Sequence, residues 1–171
     1  MAFAATGAEF LAERSPGSVA ASLPTVFDDL TLTIERAAVP DGVDTAVVAG
    51  VWVGQLRRIG AAKLRYWGLS AQVDNAALLI SELVTNALKH GKGAEVTFRL
   101  VLGTDRDIDL VVIEVDDGSP GRPEVHEVGP EQESGRGMFL VAATATSWGV
   151  SEDETKVWCV LASSAASRSG R

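Results

Sequence analysis

Leu30, Leu32 and Ile34 alternate with Thr31, Thr33 and Glu35, the period-two pattern of a half-buried strand, and Pro40-Asp41-Gly42 breaks the chain after them. Over residues 45–67 the apolar positions Val48, Trp52, Leu56 and Ile59 recur at helical spacing. They predict a first helix, although Gly50, Gly54 and Gly60 weaken it. Ser70 stands where an N-cap would open a second helix, whose apolar stripe Val73, Ala77, Ile80, Val84 and Ala87 ends near Gly91. Val96, Phe98, Leu100 and Leu102 then alternate with Glu95, Thr97, Arg99 and Val101, and the segment 103–107 separates them from an apolar run over 110–115. This predicts two strands in a hairpin. A polar loop rich in Gly, Pro and Glu, about 119–134, leads into a third helix over 138–146. Strands at 148–151 and 156–161 flank Glu152-Asp153-Glu154-Thr155 as a closing hairpin.

The predicted order is strand, two helices, two strands, loop, helix, two strands. Helices with a single apolar stripe must share one face of a sheet to bury it, so the fold class expected is α+β. The architecture is a two-layer α/β sandwich with a mixed, mainly antiparallel sheet. Trp52, Trp67, Trp148 and Trp158 fall at positions expected in or near its core. Residues 1–25 mix Ala, Gly, Ser and Pro without a sustained period and read as a loosely ordered segment. Residues 26–161 read as a single domain, and 162–171 as a disordered tail.

Composition narrows the partners. A chain of 171 residues that is 46% hydrophobic suits one domain with its own core. Its formal net charge of −8 argues against nucleic acid or an anionic membrane as a direct partner, since both call for clustered Lys and Arg. The single cysteine, Cys159, excludes an internal disulfide, and with two histidines it is too little for a thiolate zinc site. A reducing compartment is expected. No signal-like amino terminus and no run near the roughly 20 apolar residues of a membrane span are present, so the expected location is the cytoplasm.

Three segments carry candidate chemistry. Glu82 and Asn86 lie one helical turn apart on the same side of the second helix. They are either solvated residues of an amphipathic helix or a pair acting on one ligand, a carboxylate to accept a proton and an amide oxygen to complete a Mg²⁺ shell. The second segment, Asp117-Gly118-Ser119-Pro120-Gly121-Arg122-Pro123, ends an apolar strand with an acid. It is either a plain turn or a carboxylate placed to accept from an exocyclic amine, followed by small residues that admit a flat base. The third, Ser134-Gly135-Arg136-Gly137-Met138, is either a flexible loop capped by Ser134 or a helix start whose free N–H groups favour phosphate.

In order and spacing the three segments resemble the N, G1 and G2 boxes of the GHKL ATPase superfamily. Ser81-Glu82-Leu83-Val84-Thr85-Asn86-Ala87-Leu88-Lys89-His90-Gly91 is very similar to the N box of the bacterial anti-sigma-factor serine/threonine kinases and their actinobacterial relatives. The resemblance covers about 45–161 and implies an ATP site with Mg²⁺. In it Glu82 is the general base, Asn86 the metal ligand, and His90 a neighbour of the nucleotide or a packing residue. It gives Asp117 the adenine-recognising role, with Asp116 as a register alternative and Ser119 where the motif has its first glycine. Gly121 and Pro123 take the places of the second glycine and the proline. Gly135, Arg136 and Gly137 correspond to the phosphate-cradling G2 box, and 123–134 to a short lid over ATP.

A histidine kinase is excluded for this chain alone, because His90 lies inside the N box and no earlier histidine precedes it. By the same resemblance the expected function is a protein kinase that binds a sigma factor and phosphorylates a STAS-type anti-anti-sigma partner, acting as a homodimer. The alternative is a non-catalytic adaptor whose surface is shaped by ATP. A third reading, a module that has lost nucleotide binding, is opposed by the retained Glu82, Asn86 and Asp117.

Overall fold

The computed structural model of the chain describes residues 18–36, 44–121 and 136–164. Its elements follow the predicted order. Strand β1 (Thr25–Glu35) precedes helices α1 (Thr45–Tyr66) and α2 (Val73–His90), then strands β2 (Glu95–Asp105) and β3 (Ile108–Asp116). Helix α3 (Arg136–Thr144), β4 (Ser147–Val150) and β5 (Lys156–Ser164) complete it. The strands form one sheet in the order β1-β2-β3-β5-β4, with each of the four pairings antiparallel. The fold is α+β, with the three helices on one face of the sheet, as their stripes require.

Strand alternation sorts the two faces. Val96, Phe98, Leu100, Val111, Ile113, Val115, Cys159 and Leu161 join the core beneath the helices. Val101, Leu110, Val112, Trp158 and Val160 form a second cluster on the reverse face. That face is covered by Val19, Ala20 and Leu23, so part of the segment expected to be loosely ordered is packed. Glu114 fixes it there. Although only 2% exposed, its carboxylate accepts from Ser18 Oγ at 2.8 and 2.9 Å and from the Ala20 amide at 2.9 Å, with the Arg99 guanidinium 3.7 Å away. A buried carboxylate is tolerable when its lone pairs are matched in this way.

Four local expectations need correction. Ser70 does not cap α2 through its side chain; it opens a 3₁₀ turn, Ser70–Gln72, that runs into the helix. The separator expected at 103–107 shrinks to Arg106 and Asp107, whose φ values of +48° and +66° match a two-residue type I′ hairpin turn. Gly103 is a strand residue instead, needed because a Cβ there would lie 2.5 Å from the Thr25 carbonyl oxygen. Strand β5 continues past Leu161 through Ser164, because Ile108–Leu110 offer it ladder partners. Lastly, the α1 stripe centres on Val53, Leu56, Gly60 and Leu64. Gly60 sets that rotation: a Cβ on it would stand 2.5 Å from Ile80 Cδ1, so α1 and α2 touch there. Trp67 and Trp158 are buried, and Trp52 and Trp148 pack partly buried against the main core.

Candidate functional site

Helix α2 carries the site because its core side, Ala76, Leu79, Ile80, Leu83, Val84 and Ala87, is fully engaged and locks the helix in rotation. Glu82 and Asn86 then fall on a half-buried flank, against which the start of α3 packs. A Cβ on Gly137 would lie 2.5 Å from Glu82 Oε2 and 3.7 Å from Asn86 Nδ2. The space beside both side chains is kept by the absence of one on Gly137. Burial raises the Glu82 carboxyl above the ordinary carboxylate range, and the Lys89 ammonium offsets this in part.

The second cluster lies at the C-terminal end of α2, ~13 Å along its axis from Glu82 and ~8 Å from Asn86 at 1.5 Å per residue. Val115 faces the helices, so by alternation Asp117 continues toward them while Asp116 turns to the other face. The Asp116 carboxylate accepts from the Gly118 amide in an exposed turn. Asp117 is half-buried. Its Oδ1 accepts from the Ser119 amide at 2.8 Å, and its Oδ2 would lie 2.6 Å from a Gly91 Cβ. Ser119, which stands where the motif has glycine, ties the strand end to the helix end: its hydroxyl accepts from the Lys92 and Gly93 amides at 2.6 and 3.1 Å. The Gly121 amide donates to the Glu154 carbonyl at 3.1 Å.

Of the sequence-predicted site residues, the structure brings Glu82, Asn86 and Gly137 together at one end, and Asp117 and Ser119 at the other. His90, Gly121 and Arg136 are exposed, and His90 is the last residue of α2. Gly135 and the lid expected over 123–134 lie outside the described residues. Sequence reasoning missed Arg36, the residue just after β1. Its guanidinium donates to the carbonyls of Ala87, Leu88 and Gly91. Nothing in the periodicity marks this residue; a lone basic residue behind an edge strand reads as solvated.

The donor set fits a nucleotide with its metal. One end offers a carboxylate and an amide oxygen, which are hard ligands suited to Mg²⁺, beside a backbone without a side chain at a helix start. The other offers an acceptor-only carboxylate beside glycines. Among the described residues no His, Cys, Asp and Glu cluster forms a dedicated metal cage, and no helix is long and apolar enough to cross a membrane.

Comparison with protein families matches residues 52–161 to the histidine kinase-like ATPase domain. Comparison with curated proteins gave no match.

Proposed function

The chain belongs to this histidine kinase-like ATPase family, and on that premise we propose that it is a Mg²⁺-ATP-dependent protein serine/threonine kinase of the anti-sigma type. The observation that carries the reading is the Gly137 backbone set against both Glu82 and Asn86; a helix start beside a half-buried carboxylate supports Glu82 as the base.

In this reading Glu82 takes the proton from a serine or threonine hydroxyl of the partner. The freed oxygen bonds to the γ-phosphorus of ATP as the bond to the ADP oxygen breaks, so ADP leaves with the electron pair. A carboxyl raised by burial is a stronger base than a solvated one. Asn86 supplies an amide oxygen for Mg²⁺, which when bound neutralises charge developing on the phosphates. The Gly137 amide and its neighbours at the start of α3 orient the phosphate chain. Asp117 accepts from the exocyclic amine of adenine, a role its helix-facing position supports over Asp116. The acceptor is proposed to be a STAS-type anti-anti-sigma protein and the second partner a sigma factor. Two copies are proposed to pair through β1, an edge strand with Val26 and Phe27 exposed.

Calorimetry with Mg²⁺-ATP, GTP and the Asp117→Ala variant tests the binding step. The expected result is saturable ATP binding that GTP does not share and that Asp117→Ala weakens by roughly tenfold or more, the worth of a hydrogen bond to a charged group. Radiolabel transfer to a STAS-type partner then separates kinase from adaptor: Glu82→Ala is expected to bind ATP and transfer nothing. Full-rate transfer by that variant would overturn the base assignment.

A further inference from the structure

We propose that Arg36 is a positioning residue for the base-recognising end of the site, acting across Gly91 on Asp117; the inference rests on the ATP-binding reading above. The last turn of α2 ends in carbonyl oxygens with no helical partner, which carry the negative end of the helix dipole. Three carbonyls at this end accept from the Arg36 guanidinium: those of Leu88 and Gly91, and that of Ala87, which also accepts from the Gly91 amide at 3.0 Å. The backbone of Arg36 is itself held, since its amide donates to the Ala94 carbonyl at 2.8 Å and so extends the β1–β2 ladder beyond Glu35.

Gly91 makes the convergence possible. Its φ of −67° is open to any residue, so its smallness answers a need for space. A Cβ there would meet Arg36 Nη2, the Ala87 oxygen at 2.6 Å and Asp117 Oδ2 at 2.6 Å. A guanidinium, a helix-end carbonyl and the Asp117 carboxylate therefore border one point.

The electrostatic consequence follows from the inventory of groups. Without Arg36, Asp117 Oδ2 and the carbonyls at the helix end would face one another across Gly91 with no cation beside them, leaving only the Gly91 amide on Ala87 and the Ser119 amide on Asp117 Oδ1 as backbone donors among the described residues. Asp117, held through Oδ1 by the Ser119 amide, would then swing Oδ2 away from α2 or draw in water, and the carboxylate that meets the base would be less tightly aimed. Arg36 supplies a planar, always-charged fork with donors enough for several carbonyls. Its Nε is buried without a hydrogen-bond partner among the described residues, a desolvation accepted for the sake of the terminal nitrogens.

The test measures binding of two nucleotides, ATP and purine riboside triphosphate, which lacks the exocyclic amine, to wild type, Asp117→Ala, Arg36→Ala and Arg36→Lys. Thermal midpoints are recorded beside them. Wild type is expected to prefer ATP, and Arg36→Ala to lose that preference by roughly tenfold, as Asp117→Ala does, because a misdirected acceptor forfeits a charge-assisted bond. Arg36→Lys is expected to fall between, since an ammonium keeps the charge but cannot serve three carbonyls as the fork does. It also carries the test if the alanine variant does not fold. A merely structural Arg36 would lower the midpoint and weaken both nucleotides alike. An unchanged ATP preference in the folded Arg36 variants overturns the proposal. If wild type shows no preference, or Asp117→Ala retains it, the adenine reading itself fails and takes this inference with it.

Discussion

Glu82 and Glu114 show how environment divides a half-buried and a buried carboxyl of one chain. Glu114 is matched by Ser18, Ala20 and Arg99 and serves structure. Glu82 sits in a partly desolvated flank and has its carboxyl pushed up. Its pH signature has a definite sign. The folded protein holds the Glu82 proton more tightly than the unfolded chain, so burial carries no penalty below the ordinary carboxylate range. The penalty grows as pH rises through the raised value. Glu82→Gln removes it, so the variant should be more stable than wild type near neutral pH, with the gain shrinking toward zero below about pH 4. Urea titrations at several pH values check this, and a gain independent of pH would sink the assignment. Transfer activity should fall with acidification at a higher pH than a solvated glutamate would give.

At the scale of elements, the glycines of α1 separate two uses of one residue type. A Cβ on Gly50 meets nothing, whereas one on Gly60 meets Ile80, which is fully buried. Gly50→Ala should therefore stabilise by about 0.5–1 kcal/mol through helix propensity. Gly60→Val should destabilise by about 1–3 kcal/mol through overpacking against α2. Denaturant midpoints of the two variants read both effects. The contrast also marks what the sequence can disclose. Apolar periodicity in β1, β2 and α2, with the continuous apolar run of β3, yields the element order and the layer arrangement, because burial on one face imposes a period and burial on both imposes a run. The choice between Asp116 and Asp117 is not legible in this way, because β3 is apolar on both faces; it is the approach of Asp117 Oδ2 to Gly91 that favours Asp117. What periodicity does not carry is contact across elements. The rotation of α1 depends on Gly60 meeting Ile80, the packing of Val19 and Ala20 depends on a distant Glu114, and Arg36 depends on the end of a helix that follows it by some fifty residues. Residue 103 looked like a turn because glycine serves turns and close approaches alike.

For the whole molecule, the β1 edge of the sheet, unpaired among the described residues, is the feature with the widest reach. Strand β1 is held from one side by β2 and beneath by α1, where Lys63 and the Trp67 indole both donate to Asp28. Lys63 first, then Trp67, keep that carboxyl below its usual range. If two copies pair through this strand, Phe27→Glu should shift the protein to monomer in light scattering while leaving its midpoint within about 0.5 kcal/mol, as exposed substitutions do. A wild-type protein that is already monomeric at high concentration would exclude the pairing. Because Arg36 directly follows the same strand, a partner that bent β1 would also pull on the last turn of α2. The edge has a temporal consequence as well. Residue 25 finds its ladder partner at residue 104, so on the ribosome β1 emerges many seconds before β2 exists, at roughly 5–20 residues per second. During that interval a strand bearing Val26, Phe27, Leu30, Leu32 and Ile34 is available to other nascent chains. Asp28, Asp29 and Glu35, interleaved among them, act as its gatekeepers against aggregation until synthesis supplies the partner.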